Sequence, residues 1–499
     1  MLNETAPTPS RAFGKDILAY LPSKAVPALI GLIAIPIITR LFEPGDYGNY
    51  ILVITTVGLL ALIPGSLLGT AAVRFFAAYK KQSKLESFYN TLIKTTVACV
   101  AGIALVFFGV LQALRAAVPI ELYHLMSIGI LLFVLTSIFT IPLHVLNAKQ
   151  KATLYSCFSI WQVGVGLAFG VAIVLTLKWG VDGLLWGSIG AIAIALPFLY
   201  HASFGKAARE GAFSKSIAIE MSKFGAPLII GNLAAWILSL SDRYVIELYR
   251  GSYEVGLYSA SYSISEQALT MLLSLFMLAG YPLIVNTWET GGKEATQEFV
   301  GKLTRYYLLI GLPAALGMSV LSKPIIVSFT GAAYHEGYRI ISLVAFGTFL
   351  LGLQRCAQQG LLLYKRTNII MYAAVSAGLL NLGLNFLLVP MYGYMAAAVT
   401  TLISYAFLLA VMVVISRRHF VWEFPFKSLG KAALASAVMG AIVYPIGNSL
   451  TSSTLVNLIA GICIGVIVYF AMLFLLREPK KEEIQELRAI SRKILRRRD

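Results

Sequence analysis

The stretch GDYGNY, residues 45–50, is echoed later in the chain by EVGLYS, residues 254–259, and each copy lies between two long apolar runs. The copies place an acidic residue, a glycine and a tyrosine at the same offsets: Asp46, Gly48 and Tyr50, then Glu254, Gly256 and Tyr258. Glycine suits a tight turn, and Pro44 is expected to stop the preceding helix. We therefore predict that each copy is the turn between the first two helices of one half of a duplicated chain. The alternative is a generic turn at the membrane interface.

The composition is that of a polytopic membrane protein. Hydrophobic residues make up 58% of the 499 residues and charged residues 13%, whereas a soluble protein is about one half apolar and one quarter charged. Apolar runs of roughly 20 residues, the length that spans a bilayer core as a helix, recur from end to end. The alternation of a membrane β-strand is absent, and the polar N-terminus lacks the pattern of a cleaved signal. The predicted fold is all-α.

Fourteen apolar runs predict about 14 transmembrane helices. They lie near 17–41, 48–72, 88–112, 123–146, 154–177, 181–203, 223–246, 256–286, 303–321, 338–361, 368–388, 393–415, 428–447 and 455–476.

The net charge of +17 is better explained by membrane topology than by nucleic-acid binding. Lysine and arginine crowd one set of alternate loops and the C-terminal tail. The other loops hold only Arg115, Lys178, Arg243, Arg250 and Lys323. Because basic loops stay in the cytoplasm, we predict a chain in the cytoplasmic (inner) membrane with both termini cytoplasmic.

A second echo supports the duplication. KWGVDGLLWGS (178–188) is similar to MYGYMAAAVTT (391–401), and both place an aromatic–glycine pair at an outer turn. Helices 1–6 are therefore expected to repeat as helices 7–12 in the same orientation, and such parallel repeats usually enclose a substrate site. The predicted parts are a cytoplasmic N-terminus (1–16), an N-lobe (17–203), a cytoplasmic linker (204–222), a C-lobe (223–415), two added helices (428–476) and a basic amphipathic cytoplasmic tail (477–499).

The sequence predicts no cofactor and no metal site. Its four cysteines lack CxxC spacing and its five histidines are scattered, and P-loop, HExxH and GxSxG motifs are absent. An external catalytic site would have to use the loop 322–337, which offers Lys323, His335 and Glu336. A glycan polymerase or ligase needs a larger loop, so we predict a carrier and not an enzyme.

Three segments resemble the polysaccharide transport family, whose members flip lipid-linked oligosaccharides in O-antigen and exopolysaccharide pathways. They are TRLFEPGDYGNY (39–50), DRYVIELYRGSYEVGLYSASYSI (242–264) and VPMYGYMAAAVTTLISY (389–405). The family lies within the larger group that contains multidrug and toxin extrusion proteins. The resemblance implies an undecaprenyl-diphosphate-linked oligosaccharide as substrate, moved from the inner to the outer leaflet by alternating access. It also implies membrane lipids, H⁺ or Na⁺, and polysaccharide polymerases or glycosyltransferases as partners.

Two rivals share the same fold. A multidrug antiporter would be expected to stop at twelve helices and to favour acidic cavity residues, whereas this interior is biased towards cations. A lipid II flippase shares fourteen helices and a cationic cavity, and only the turn motifs favour the polysaccharide branch.

Lys24 is the first candidate for binding a diphosphate headgroup. It falls about seven residues into helix 1, roughly 10 Å by helical rise, and an ionisable residue at that depth normally faces the bundle interior. Pro22, Pro27 and Pro36 are expected to bend or break this helix, and broken helices line the cavities of carriers. The alternative is that Lys24 snorkels to the inner headgroups.

Arg355 is the second candidate, within GLQRCAQQG in helix 10. Arginine can grip phosphate with two parallel hydrogen bonds, and the alternative is a structural pair or an interfacial anchor. Further basic residues lie near helix ends, where snorkelling competes with substrate contact: Arg40, Arg74 and Arg305.

Three residues are candidates for ion coupling or for a gate. Glu266 is the deepest carboxylate of the chain and could bind a proton or sodium, or could pair with a cavity cation. Asp242 and Arg243 close helix 7 and match an acidic–basic pair of the family. They could also form a plain interfacial salt bridge that holds the outer gate.

Overall fold

The computed structural model describes residues 22–206, 210–449, 453–479 and 483. This part of the chain is helical and contains no strand. The seventeen α-helices, numbered in chain order, are α1 Pro22–Leu41, α2 Pro44–Pro64, α3 Thr70–Lys81, α4 Leu85–Ala113, α5 Ile120–Ala148, α6 Ala152–Leu177, α7 Asp182–Phe204, α8 Lys215–Leu240, α9 Asp242–Arg250, α10 Ser252–Val320, α11 Ser322–Phe329, α12 Tyr338–Ala357, α13 Gln359–Leu363, α14 Thr367–Tyr392, α15 Tyr394–Arg417, α16 Phe426–Ser449 and α17 Thr454–Leu475. A π-helical turn, Gly65–Gly69, joins α2 to α3, and a 3₁₀ turn, Ala332–Gly337, precedes α12.

Thirteen helices of the described residues are long and apolar enough to cross a bilayer. The remaining predicted run, 256–286, is helical as well, but it continues into the next helix, so that both lie in α10. That continuous stretch holds two helices that meet at Gly292, whose φ of 72° only glycine adopts freely. The all-α polytopic fold is therefore confirmed.

The chain packs as two compact units. The first contains Met1–Ala260 and Ala374–Ala397, and the second contains Ser261–Ala373 and Ala398–Asp499. The predicted lobes, 17–203 and 223–415, follow the sequence repeat instead of these contacts, and their boundaries stay a prediction.

In the first unit, α6 and α7 lie unusually close together. A Cβ atom on Gly187 would lie 2.1 Å from the backbone nitrogen of Gly170, and a Cβ on Gly170 would lie 2.9 Å from the Cα of Leu184. Lipid tails are as apolar as leucine, so helices associate in membranes mainly where small residues let backbones approach. Gly170 and Gly187 therefore serve the close packing of α6 against α7.

The end of the first unit that carries the basic loops has an aromatic core. Phe88, Tyr89 and Met221 are fully buried in it, with Tyr79 stacked on Phe88 at 5.0 Å between ring centroids. Lys149 lies over the ring of Tyr89 at 5.2 Å and donates a hydrogen bond to a backbone carbonyl of α7. This core packs α3, α4, α5 and α8 together and shields their ends from water.

In the second unit, the two segments of α10 pack against α12. Tyr307 stacks on Phe349 with ring centroids 5.6 Å apart, and its hydroxyl donates a 2.9 Å hydrogen bond to the Phe349 carbonyl. Gly352 leaves the room for this hydroxyl, because a Cβ there would lie 1.9 Å from the tyrosine oxygen. The contact fixes the helix that carries Arg355.

Candidate functional site

The two matched stretches of the sequence touch each other. A Cβ on Gly48 would lie 1.9 Å from the carbonyl oxygen of Ser252, and a Cβ on Gly256 would lie 1.9 Å from that of Pro44. Both glycines lie inside helices, near the starts of α2 and α10. The prediction that they form tight turns is therefore wrong. Glycine is needed at both positions because two helix backbones meet there. The turn between α1 and α2 lies before Pro44, which occupies the first turn of α2.

Beside this contact lies a buried polar cluster of Asp242, Arg243 and Tyr258, here called the Asp242 cluster. The two charged residues are 1% and 4% exposed, which only a full set of partners can sustain. Arg243 approaches Asp242 Oδ1 at 3.2 Å and donates a 3.1 Å hydrogen bond to the Ser239 carbonyl, and the Tyr258 hydroxyl donates to Asp242 Oδ2. The guanidinium also lies 5.7 Å from the Tyr258 ring centroid. The structure thus shows the predicted pair as a buried, hydrogen-bonded one.

Gly256 and Tyr258 belong to the second copy of the repeat. The acidic residue of that copy, Glu254, bonds to a different helix. Glu254 accepts a 2.9 Å hydrogen bond from the backbone N–H of Tyr394, the first residue of α15. A carboxylate at that position satisfies a free N–H and favours the helix dipole. Gly393, with φ of 60°, makes room, since a Cβ there would lie 2.4 Å from the carboxylate.

The first copy is not held in the same way. Asp46 is exposed at the start of α2, and the carboxylate at the corresponding helix start is Asp182 of α7. Asp182 Oδ2 lies 3.0 Å from His124 Nε2. The repeat in the sequence has therefore diverged in its contacts.

The π-helical turn Gly65–Gly69 is a feature that sequence reasoning missed. A Cβ on Gly225 of α8 would lie 2.2 Å from the Leu67 carbonyl oxygen, and Asn232 donates a 2.8 Å hydrogen bond from Nδ2 to Ser66 Oγ. Asn232 thus links helices, as expected for an amide in a span. Such π-turns are rare and often mark functional positions, and the signal in the sequence was Pro64 followed by two closely spaced glycines.

Lys24 lies in α1, close to where the described residues begin, and is exposed. Helix α1 runs unbroken from Pro22 to Leu41 with two prolines inside it, so of the expected bend or break, a break does not occur in the described residues. The first unit also holds a cavity of about 430 Å³ among α1, α2, α5, α6 and α7, whose polar lining includes Gln162, Thr136 and Ser188.

Arg355 lies half-buried near the end of α12 in the second unit. Its glutamine neighbours are mostly satisfied locally: Gln354 donates to Gln358 at 2.8 Å, and Gln359 donates to the Arg355 carbonyl at 2.9 Å. Within the described ranges no carboxylate comes within 4.0 Å of the guanidinium. Glu266 is half-buried in α10 of the same unit.

A second cavity of about 380 Å³ lies in the second unit among α10, α16 and α17. Its lining is almost wholly apolar and mostly aliphatic, and includes Leu269, Pro313, Met439, Val443 and Ile462. Such a surface suits a hydrocarbon chain.

The remaining predicted cations differ in setting. Arg40, in the last turn of α1, and Arg74, in α3, are exposed. Arg305 is buried and donates to Glu478 Oε1 at 2.8 Å and to Glu483. Its predicted substrate contact stays a prediction, one that this pairing does not favour.

Comparisons with known proteins give the family. A family model described as "Polysaccharide biosynthesis protein" matches residues 13–288, and a second, MatE, matches residues 227–387. The chain is 22% identical over 337 residues to the probable low-salt glycan biosynthesis flippase Agl15 of Haloferax volcanii, covering 64% of this chain and 70% of that protein. It is 22% identical over 347 residues to the succinoglycan biosynthesis transport protein ExoT of Rhizobium meliloti, covering 69% and 67%.

The fold has solved counterparts. The structure superposes on lipid II flippase MurJ in an inward closed conformation with a TM-score of 0.76 and 16% identity, over 92% of this chain and 99% of that one. It also superposes on an inward-facing multidrug resistance MATE family transporter with a TM-score of 0.64 and 13% identity, over 79% and 93%. The first family model spans more than half of the sequence, and this chain belongs to the polysaccharide biosynthesis protein family.

Proposed function

We propose that this multi-pass membrane protein is a flippase that moves an isoprenoid-diphosphate-linked oligosaccharide from the inner to the outer leaflet by alternating access. The observation that carries the proposal is Arg355, a half-buried guanidinium in a membrane-spanning helix with no carboxylate within 4.0 Å among the described residues. A charge at such a position is costly unless it is hydrated or meets an anion. A diphosphate supplies that anion, and guanidinium binds it in a bidentate way.

The lipid part of the substrate fits the aliphatic cavity of the second unit. Leu269 and Leu272 of α10 line it, and Glu266 lies one turn before them on the same helix. If the isoprenoid chain of the substrate is held there, its diphosphate lies near the polar residues of the second unit. Lys24, Arg40 and Arg74 of the first unit are proposed as further headgroup contacts.

The Asp242 cluster and the Gly48–Gly256 contact are proposed as the outer gate. Opening would break the approach of two backbones and leave Asp242 and Arg243 to water, which hydrates both charges. Glu266 is proposed to couple the cycle to H⁺ or Na⁺, because a half-buried carboxylate in a span can exchange a cation as its surroundings change.

The relatives named above are flippases or transport proteins, which supports a carrier over a polymerase or ligase. Because MurJ and MATE transporters share the fold, a lipid II flippase and a multidrug antiporter are the alternatives. Arg355, which has no carboxylate within 4.0 Å among the described residues, and the aliphatic cavity favour an anionic lipid over a cationic drug. We further propose the cytoplasmic membrane as location, cytoplasmic termini, two parallel six-helix lobes, and a polymerase or glycosyltransferase as a functional partner.

The test is flipping in proteoliposomes with an undecaprenyl-diphosphate-linked sugar as probe. Arg355→Ala should lower the initial rate by about 10- to 100-fold, the value of one charge-assisted contact, whereas Arg355→Lys should retain part of it. Arg366→Ala removes an exposed arginine of the turn after α13 and serves as the matched control. Wild-type flipping by Arg355→Ala, or transport of a cationic drug without flipping, would overturn the proposal.

A further inference from the structure

A second polar cavity, of about 550 Å³, lies in the second unit between the part of α10 that follows Gly292 and the loop that precedes α16. It is here called the acidic cavity, because Glu294, Glu298 and Glu423 line it and are exposed. Lys302 is paired with Glu298 at 2.8 Å, an i,i+4 pair on the surface of α10. The other two lining carboxylates have no salt bridge within the described residues.

Arg305 forms the floor of the acidic cavity and is tied to the chain that leaves α17. It donates to the side chain and the carbonyl of Glu478, at 2.8 and 2.9 Å, and to both carboxylate oxygens of Glu483. Ser428 donates to Glu478 Oε1 at 2.5 Å, and Lys431 lies 3.1 Å from Glu478 Oε2. The tail of the chain therefore starts at the cavity and is pinned there.

The sequence beyond this anchor is strongly basic. Residues 484–499 contain Arg488, Arg492, Lys493, Arg496, Arg497 and Arg498, against only Glu486 and Asp499. The cavity lining holds three carboxylates (Glu294, Glu298 and Glu423) against Lys302 and Arg305, and Arg305 is already paired with Glu478 and Glu483. The lining carboxylates that lack a salt bridge and the excess of positive charge in the tail are complementary.

We propose that the basic C-terminal segment 484–499 docks on the acidic cavity and inserts arginine side chains into it. A cube of the cavity's volume is about 8 Å on a side, narrower than the 10–12 Å of a helix with its side chains, so side chains enter and the backbone lies across the mouth. Docking joins the part of α10 that follows Gly292, the loop before α16 and the tail by ion pairs. Anionic lipid offers the same cations a competing surface.

The test is disulfide cross-linking in the full chain, with the four native cysteines replaced by alanine. Val421→Cys, at an exposed position of the cavity lining, is paired with Ser491→Cys in the tail, and the protein is placed in phosphatidylcholine vesicles. The pair should cross-link, whereas Ser453→Cys with Ser491→Cys, on the turn between α16 and α17, should not. Neutralising the cavity with Glu294→Gln, Glu298→Gln and Glu423→Gln should lower the rate of disulfide cross-linking about tenfold, as expected for three partly exposed ion pairs.

The matched control removes three exposed carboxylates of the first unit, through Glu43→Gln, Asp46→Asn and Glu121→Gln, and should leave the rate unchanged. Raised salt should slow cross-linking in the parent pair, since partly exposed charges are screened. A rate that is equal in both triple variants would overturn the proposal. So would cross-linking that is absent in neutral vesicles while the tail is protected only in vesicles containing phosphatidylglycerol, because the membrane would then be the binding surface.

Discussion

At the scale of single residues, the proposed gate depends mainly on two glycines and one buried ion pair. Gly48 and Gly256 allow carbonyl oxygens to lie where a side chain would otherwise stand. Asp242 and Arg243 are buried beside them and satisfied by Tyr258 and by a helix carbonyl. Each of these residues therefore has a specific partner that a substitution can remove.

Gly48→Ala should destabilise the protein by about 1–3 kcal/mol, because its Cβ would overlap the Ser252 carbonyl and force the helices apart. Thermal unfolding in detergent measures this. Gly45→Ala in the first turn of the same helix is the control, since a Cβ at that position meets nothing within 4 Å. Equal melting temperatures for the two variants would show that the backbone contact is not needed.

Tyr258→Phe should lower stability by about 1–3 kcal/mol, since it removes the hydroxyl that donates to a buried carboxylate and leaves that oxygen unpaired. Tyr253→Phe, at an exposed tyrosine of the same helix, controls for loss of a hydroxyl alone. The melting temperatures of both variants are compared with that of the parent. A Tyr258→Phe protein as stable as the Tyr253→Phe protein would mean that water replaces the hydroxyl.

At the scale of elements, helix starts and broken helices organise the structure more than helix interiors do. The start of α15 is capped by Glu254 of α10, the π-helical turn between α2 and α3 packs on α8, and α10 reverses direction at Gly292. The chain after α17 is fixed in the same manner, by the hydrogen bonds of Glu478 to α10 and α16. These contacts at helix ends and turns decide which helices become neighbours.

The anchor of the tail should weaken in acid. Burial alone would raise the pKa of Glu478, but hydrogen bonds from Ser428, Arg305 and Lys431 and the charge of Arg305 outweigh it, so the pKa is lowered from its ordinary value of 4.5. A carboxyl with a lowered folded pKa stabilises the fold above its unfolded pKa and loses that contribution as pH falls through the folded value. The loss is therefore expected below pH 4.5.

Melting temperatures of the parent and of Glu478→Gln, measured from pH 7 to pH 3, test this. The difference between the two proteins should be largest at pH 7 and should shrink as the pH drops below 4.5. Glu336→Gln, on the 3₁₀ turn before α12, is the control for general acid effects. A difference that stays constant over the range would show that the Glu478 carboxylate does not support the anchor.

At the scale of the whole molecule, the proposed orientation follows from the distribution of charge. Single cysteines at Lys178 and at Lys151, in a protein whose four native cysteines are replaced, should react differently with a membrane-impermeant maleimide in intact cells. Lys178 lies on a predicted outer turn and should react from outside. Lys151 is exposed on a predicted inner turn and should react only after the membrane is opened. The reverse pattern would invert the proposed topology.

The sequence by itself determined the all-α membrane fold and the approximate number and order of the spans. Both rest on local periodicity and on the length of apolar runs, which a bilayer imposes on any chain. It also pointed to Asp242 and Arg243 as a pair, because adjacent residues of opposite charge at a helix end are visible without a structure.

Only the tertiary structure decided what the matched residues do. Gly48 and Gly256 were expected to shape turns within their own segments, yet they serve a contact between segments far apart in sequence. Arg305 was expected near substrate, yet its partners are Glu478 and Glu483 beyond the last helix. The physical reason is that close approach and ion pairing depend on which helices become neighbours, and a pattern along one helix carries no record of its neighbour.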